Sequence, residues 1–300
     1  MWKTIGIIFI VVCAALAFEC WRELHMFQVR HFLIASKKLK AWDSEKRMVL
    51  LSDLHSKVYG NKNDVLLETI RKEKPDLILI AGDMLVGKQE CDPQVAIDFV
   101  TQLPTICPVY YGNGNHEQRM KEYPEKYGDV YAKYKRELLK SGIHLLENTK
   151  STVELDGVTM EIHGIELPMR FYKKFKTHVL TLSEVEKCVG KADPSKYQIM
   201  ISHNPSFMNV MKMWGADLIV SGHLHGGIIR IPGIGGVITP QAKLFPENSG
   251  GITISDESRY VVSRGLGTHT VNIRLFNKAE VVTIHLRGSW DGHEMEKPEN

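Results

Sequence analysis

The sequence predicts an α/β domain carried behind an apolar N-terminal segment, and three observations predict it. From residue 47 onward short apolar runs alternate with amphipathic stretches of helical spacing. Each apolar run ends in a polar cluster containing Asp, His or Asn, as the strands of α/β proteins do. Ahead of them, residues 4–18 carry no charge at all.

The N-terminal run, with Ile5, Ile7, Ile8, Phe9, Ile10, Val11 and Val12, is slightly short for an untilted membrane span and long for a core helix. Ala15-Leu16-Ala17 offers a small-residue cleavage site, so a signal peptide competes with a retained anchor. The anchor is favoured, because only Lys3 precedes the run and Trp21, Phe27 and Phe32 after it suit a headgroup interface. Phe18 and Glu19 are not the small residues that precede a lipidated cysteine, which argues against lipid attachment at Cys20. Lys3 and the amino terminus face a mixture of Glu19, Arg22, Glu23 and Arg30, so charge hardly orients the segment. The expected organisation is a transmembrane anchor or signal segment at 1–20, a juxtamembrane segment with a first strand at 21–46, the main domain at 47–290 and a polar tail at 291–300. The expected location is the cell membrane, single-pass, with the domain outside the cytoplasm.

Within the domain, 48–52 reads as a strand running into Asp53-Leu54-His55, 61–72 as a helix, and 76–81 as a buried strand ending in Gly82-Asp83. A third strand, 109–111, ends in Gly112-Asn113-Gly114-Asn115-His116, and 129–140 has helical spacing. Two β-like runs, 152–155 and 158–163, flank Asp156-Gly157, a hairpin turn pair. Strands at 198–202 and 218–220 precede His203 and Ser221-Gly222-His223-Leu224-His225. The chain is β-rich again from 251, with runs at 260–263 and 281–286.

Composition narrows the partners. A net charge of +3 over 300 residues gives no global pull onto nucleic acid, and none is expected as a partner. The five cysteines have no paired spacing, so neither a disulfide framework nor a cysteine zinc site is suggested. Oligomeric state leaves no mark in the sequence.

Each polar cluster alone has an ordinary explanation: a helix cap, a turn, a structural histidine. Their order and their common place at strand ends do not, since ligands of open α/β sheets bind where strand ends meet loops. In this order and placement the chain resembles the calcineurin-like metallophosphoesterase superfamily, with motif blocks from Asp53 to His225. Ser52-Asp53-Leu54-His55-Ser56 and Ser263-Arg264-Gly265-Leu266-Gly267 make it similar to the bacterial membrane-associated branch.

The resemblance implies two packed β-sheets flanked by helices and two divalent metal ions at one edge. Asp53, His55 and His225 would hold the first metal, Asn115, His203 and His223 the second, and Asp83 would bridge them. The physics agrees with these residue types: two dications about 3.5–4 Å apart need negative oxygen between them. Mixed imidazole and oxygen ligands suit manganese, iron or zinc. With only Asp53 and Asp83 as carboxylates the site would stay positive and attract phosphate. The mechanism implied is attack by a metal-bridging hydroxide, with His116 protonating the leaving group or stabilising its charge. Glu117-Gln118-Arg119 continues the motif as in the superfamily's protein phosphatases, which makes Arg119 a candidate phosphate clamp. One departure stands out: Val86 occupies the place where many relatives carry an Asp that orients the catalytic histidine, so Glu117 or a carbonyl must serve His116 instead.

The expected substrate is a phosphomonoester, phosphodiester or pyrophosphate, cleaved at the membrane from an envelope or lipid-linked molecule. The alternatives are a nuclease or cyclic-nucleotide phosphodiesterase, and a non-catalytic metal-binding membrane scaffold. The near-neutral charge opposes a nuclease, and the complete ligand set opposes a scaffold. Residues 168–176 interleave bases and aromatics and read as an amphipathic surface helix, or as a lid over lipid or substrate. Residues 226–236 read as a loop bordering the site. His163, His178, His269 and His285 fall outside the motifs and read as structural or surface residues, His269 being placed to approach substrate.

Overall fold

In the computed structural model, which describes residues 1–89, 91–173, 178–231, 233–239, 244–268 and 271–288, two six-stranded sheets pack face to face. The first takes β1 (Phe27–Ser36), β2 (Lys46–Leu51), β3 (Leu77–Ala81), β4 (Val109–Gly112), β5 (His144–Leu145) and β14 (Ala279–Gly288), in the order β1-β14-β2-β3-β4-β5. The second takes β6 (Thr149–Leu155), β7 (Val158–Ile165), β8 (Tyr197–Ser202), β9 (Leu218–Ser221), β12 (Gly251–Ser255) and β13 (Ser258–Val262), in the order β12-β13-β9-β8-β7-β6. A two-stranded ribbon, β10 (Arg230–Ile231) with β11 (Gly235–Gly236), lies outside both.

Period-2 geometry sorts each strand between two cores. Met48 and Leu50 of β2 point between the sheets, where they meet Ile199 and Val220 of the second sheet. Val49 and Leu51 point outward, onto helices α2 (Asp64–Glu73), α3 (Gln94–Val100) and α6 (Val130–Lys140). The second sheet does the same, Met200 and Ile219 packing on Val185 of α7 (Leu182–Val189) and Met211 of α8 (Met208–Trp214). Four layers result, helix, sheet, sheet, helix. Because both faces of the central strands are covered, β3 reads as a continuous apolar run instead of alternating, and β8 is buried along its whole length.

The hairpin expected at Asp156-Gly157 forms between β6 and β7, with both turn residues at positive φ, 44° and 77°, as a type I′ turn requires. The first strand is deeper in the fold than a juxtamembrane segment suggests: β1 pairs parallel with β14 over its whole length and buries Phe32 and Ile34 between the sheets. The amphipathic helix expected at 168–176 is one 3-10 turn, Met169–Tyr172, and 174–177 lie outside the described residues. His269 and the tail 291–300 lie outside them too. Residues 226–236 are more ordered than a loop, since they contain the β10–β11 ribbon.

Helix α1 (Trp2–His25) is the one described helix long and apolar enough to cross a membrane, and none of its apolar window is buried. At 1.5 Å per residue it is about 36 Å long, against roughly 30 Å of hydrocarbon. Its attachment point follows from the pairing directions: β1 runs parallel to β14, and β14 antiparallel to β2. The start of β1, and the end of α1 beside it, therefore lie at the edge where β2 delivers Asp53 and His55.

Candidate metal centre

Five of the seven expected ligands sit on left-handed backbone: Asp53 at φ 50°, His55 at 49°, Asp83 at 56°, His223 at 72° and His225 at 52°. Such a conformation costs a non-glycine residue on the order of 1–3 kcal/mol and persists only where its surroundings hold it. Here they do. The turn after β2 is laced to the turn after β3 by Asp53 N–H to Gly82 O (3.0 Å), His55 N–H to Asp83 O (3.1 Å) and Ser56 N–H to Met84 O (2.9 Å). From the other side, Leu266 N–H donates to Ser52 O at 3.1 Å and Gly267 N–H to Asp53 O at 2.6 Å. The sharp turns aim successive side chains at one point instead of at opposite faces of a strand.

Two groups of buried side chains converge there. The ligand atoms of Asp53, His55 and His225 lie within 4.8 Å of one another, as do those of Asp83, His203 and His223. Asp83 also groups with His55 and His116, which puts it between the two sets. Asn115 is buried next to them, and its side-chain oxygen has no hydrogen-bond partner among the described residues.

The hydrogen bonds decide what each imidazole presents. Nδ1 of His55 faces Leu85 O (3.1 Å), Nδ1 of His203 faces Ala81 O (2.6 Å) and Nδ1 of His225 faces Gly267 O (3.1 Å). A carbonyl only accepts, so each Nδ1 carries a proton and each ring turns Nε2 inward, where a lone pair is available to a metal once the ring is neutral. The Nε2 atoms of His55 and His225 stand 3.2 Å apart. With both rings neutral, two lone pairs at that separation repel unless a cation lies against both. Together with the orphaned Asn115 oxygen, this donor set fits metal ions.

His116 has the opposite polarity. The Gly87 N–H donates to its Nδ1 at 2.6 Å, so the ring's proton sits on Nε2, 3.9 Å from Asp83 Oδ2. The expectation that Glu117 or a carbonyl orients His116 is thus corrected: a backbone amide does so, from the residue after Val86. A carbonyl could not, because Nδ1 faces a donor. Glu117 is occupied elsewhere, accepting from the amides of Asp83 (2.8 Å), Leu85 (2.9 Å) and Gly114 (3.1 Å) and from the Tyr111 hydroxyl (3.1 Å).

The electrostatics call for positive charge. Burial opposes ionisation of Asp83, but His203, His116 and His55 hold its carboxyl well below the usual range. Asp53 is pushed up to about 6 by burial, with Asp83 adding to the rise. Burial works against a charge on His203, yet the facing carboxylates of Asp83 and Asp53 push it up to about 10. Glu117 is a third acid in this neighbourhood, raised to about 7 by burial and by Asp83. The count of two carboxylates made from the motifs therefore understates the local negative charge.

Arg119 is half-buried on α4 (Asn115–Glu122), one turn beyond Asn115 on the same helical face, and its guanidinium has no partner among the described residues. Among the described residues it makes no contact with the clusters. His163 is structural, bonded to Gln198 Oε1 at 2.9 Å, and His285 pairs with His31 and Glu45.

Sequence reasoning missed three residues. Tyr172 stands over His223, ring centroids 5.2 Å apart at 73°, and 6.3 Å from His203. The aromatic-basic run 168–176 was its only signal. Arg274 is wholly buried and donates to the carbonyls of Arg264 (2.9 Å), Gly265 (3.2 Å) and Gly267 (2.9 Å), so it fixes the same Gly267 oxygen that orients His225. Asn277 Nδ2 donates to His225 O at 2.8 Å. A lone Arg and a lone Asn in a polar stretch carry no pattern that could reveal this.

A sequence profile of calcineurin-like phosphoesterases matches residues 46–227, more than half of the chain and all seven expected ligands. The chain belongs to this family. Calcineurin-like phosphoesterases hydrolyse phosphoester bonds, and the buried His and Asp clusters are the family's type of metal-binding groups. Among relatives, the chain is 26% identical to the uncharacterized metallophosphoesterase YkuE of Bacillus subtilis, over 89% of this chain and 88% of that one. It is 27% identical to phosphodiesterase YaeI of Escherichia coli, again over 89% and 88%. A third relative is the UDP-2,3-diacylglucosamine pyrophosphatase LpxG of Chlamydia muridarum, 24% identical over 78% and 82%. Among solved structures, the phosphopantetheinyl hydrolase PptH of Mycobacterium tuberculosis aligns with a TM-score of 0.46 at 14% identity, over 78% of this chain and 96% of that one.

Proposed function

We propose that this protein hydrolyses a phosphoester at a membrane surface with two divalent metal ions, manganese, iron or zinc. Asp53, His55 and His225 would hold one and Asn115, His203 and His223 the other, with Asp83 shared between them. The observation that carries the reading is the pair of Nε2 atoms of His55 and His225, 3.2 Å apart with both Nδ1 protons committed to carbonyls. Bound there, the metals would polarise the phosphoryl group and make water a nucleophile near neutral pH.

The chain's own groups supply the rest. His116 presents Nε2–H, so it donates a hydrogen bond to the leaving oxygen and stabilises the charge that develops there. It does not give up its proton, since a neutral ring holding only that proton is a poor acid. Arg119 reaches the phosphate from one turn down the helix, and Tyr172 borders the second metal's histidines. The apolar α1 supports a retained anchor, and the pyrophosphatase activity for which the relative LpxG is named supports a lipid-linked substrate with a pyrophosphate bond.

The test is metal content and turnover of the full chain in detergent, loaded with manganese, iron or zinc, against aryl phosphate mono- and diesters, phospholipids and nucleotides. Two metals per chain and turnover are expected. Asp83→Asn should stay folded, lose at least one metal and lose about 10³-fold in kcat/KM, roughly 4 kcal/mol of barrier. Full activity in that variant overturns the assignment, and a folded dimetal protein inert toward the whole panel favours a scaffold.

A further inference from the structure

We propose that an apolar flap beside the metal centre lies in the headgroup layer of the membrane that α1 spans, so that the metal centre faces lipid headgroups and takes a phosphoester carried by one. The inference rests on the reading of α1 as a retained anchor.

The flap is a small sheet that begins directly after ligand His225. Val237 N–H donates to Ile229 O (2.8 Å), Arg230 N–H to Leu275 O (3.0 Å), Leu275 N–H to Ile228 O (3.2 Å) and Phe245 N–H to Val237 O (2.8 Å). Three neighbouring backbone segments and a distant one at Leu275 are thereby joined next to the site. What they display is apolar: Ile234, Leu244, Phe245 and Phe276 are 64%, 63%, 59% and 50% exposed, and Ile231 and Ile273 are exposed too. Single exposed apolar residues are ordinary, but a cluster on one small element marks an interaction surface. Two of them are aromatic residues on left-handed backbone, Phe245 at φ 41° and Phe276 at φ 54°. Bulky side chains rarely tolerate that conformation, and here it accompanies rings exposed to the outside.

What covers this face is indicated by what it is docked to. Asn277, next to Phe276, donates its backbone N–H to Glu23 Oε2 at 2.6 Å. Glu23 lies in the last turns of α1 and is buried. A narrow crevice lined by Arg22, Glu23, Met26, Phe27, Gln28 and Lys278 marks the same junction. Asn277 also holds His225 O through its side chain, so helix end, flap and ligand-bearing turn meet at one residue. The last turns of α1 carry Trp21, exposed, and Arg22, the residue types that settle at a membrane–water interface. A flap fixed against those turns shares their depth, and its isoleucine, leucine and phenylalanine side chains face acyl chains and glycerol backbones instead of water. A soluble partner would have to reach the same face through the headgroups that α1 brings to it.

The experiment uses the full chain in vesicles of phosphatidylethanolamine and phosphatidylglycerol, with the photo-crosslinker benzoylphenylalanine replacing Phe245 or Phe276. The controls place it at Leu139 and Met213, exposed apolar positions on α6 and α8. Irradiation is expected to give lipid adducts at 245 and 276 at least tenfold above the controls. Yields equal to the controls, or adducts to a second protein copy, overturn the inference. An alkaline wash separates the two readings: a chain released from the vesicles defeats the anchor and this inference together. A chain retained without lipid adducts defeats this inference alone.

Discussion

At the scale of single residues, the direction of one hydrogen bond separates two kinds of histidine. His55, His203 and His225 give their Nδ1 protons to carbonyls and turn Nε2 inward, whereas His116 receives an amide proton at Nδ1 and turns a proton on Nε2 inward. His116→Asn is therefore expected to leave metal stoichiometry unchanged and to lower kcat by about 10²-fold. The loss should be larger for alkyl esters than for aryl esters, whose leaving groups need less stabilisation. An equal loss for both, or loss of metal, would show that His116 does not act at the leaving oxygen. Six of the seven expected ligands converge, and they were legible beforehand because each follows a strand and their order is distinctive. The orientation of His116 was not, because Gly87 contributes an amide that every residue but proline possesses. Val86 announced that a partner was missing without showing what replaced it.

At the scale of elements, tight approach between turns does most of the positioning. A Cβ at Gly222 would fall 2.3 Å from Asp53 Oδ2 and 2.7 Å from Ser52 Cβ. Gly222→Ala must therefore displace the first ligand, and metal titration should show weakened binding at that site with activity down at least about tenfold. Wild-type affinity in this variant would mean that the turn after β9 is free to move. The sheet away from the site carries its own charge device. Glu161 of β7 accepts from Lys150 (2.8 Å), Lys196 (2.9 Å) and Gln198 (3.1 Å), and although burial opposes ionisation its carboxyl is lowered to about 2. A lowered carboxyl stabilises the fold above its unfolded value of 4.5 and loses that effect as pH falls toward 2. With the half-exposed lysines discounted, the contribution is about 1–2 kcal/mol at neutral pH. Urea titrations should find Glu161→Gln less stable at pH 7 and less sensitive than wild type between pH 4.5 and 2. Parallel slopes in that window would remove Glu161 as the cause. The turn between β6 and β7 was readable from two residues, Asp156 and Gly157, since its chemistry is local. The β10–β11 ribbon was not, because part of its backbone bonding comes from Leu275 and Phe245, outside the hairpin itself.

At the scale of the molecule, the sequence suggested a main domain that begins at residue 47, and the structure sets the limit earlier. β1 supplies ten paired positions and two inter-sheet side chains, so removing residues 1–36 would bare the edge of β14. That truncation is expected to aggregate or to melt well below the full chain, while a cut at residue 20, ahead of Glu23, keeps the fold and its turnover of soluble aryl esters. Size-exclusion profiles and thermal melts of the two truncations check this, and a monodisperse, stable 37–300 fragment would refute it. The N-terminal apolar run pointed to the membrane from composition alone. That its last turns meet the ligand-bearing turn through Asn277 required three dimensions, for the two stretches lie 254 positions apart.

The pairing of β1 with β14 also sets a timetable for synthesis. The first strand to leave the ribosome finds its hydrogen-bonded neighbour only when β14, about 250 residues later, has emerged. At roughly 5–20 residues per second, β1 waits on the order of 10–50 seconds, and closure of the first sheet comes last. A chain held by its N-terminal helix during that interval keeps β1 at the bilayer, within reach of the site where its partner must arrive.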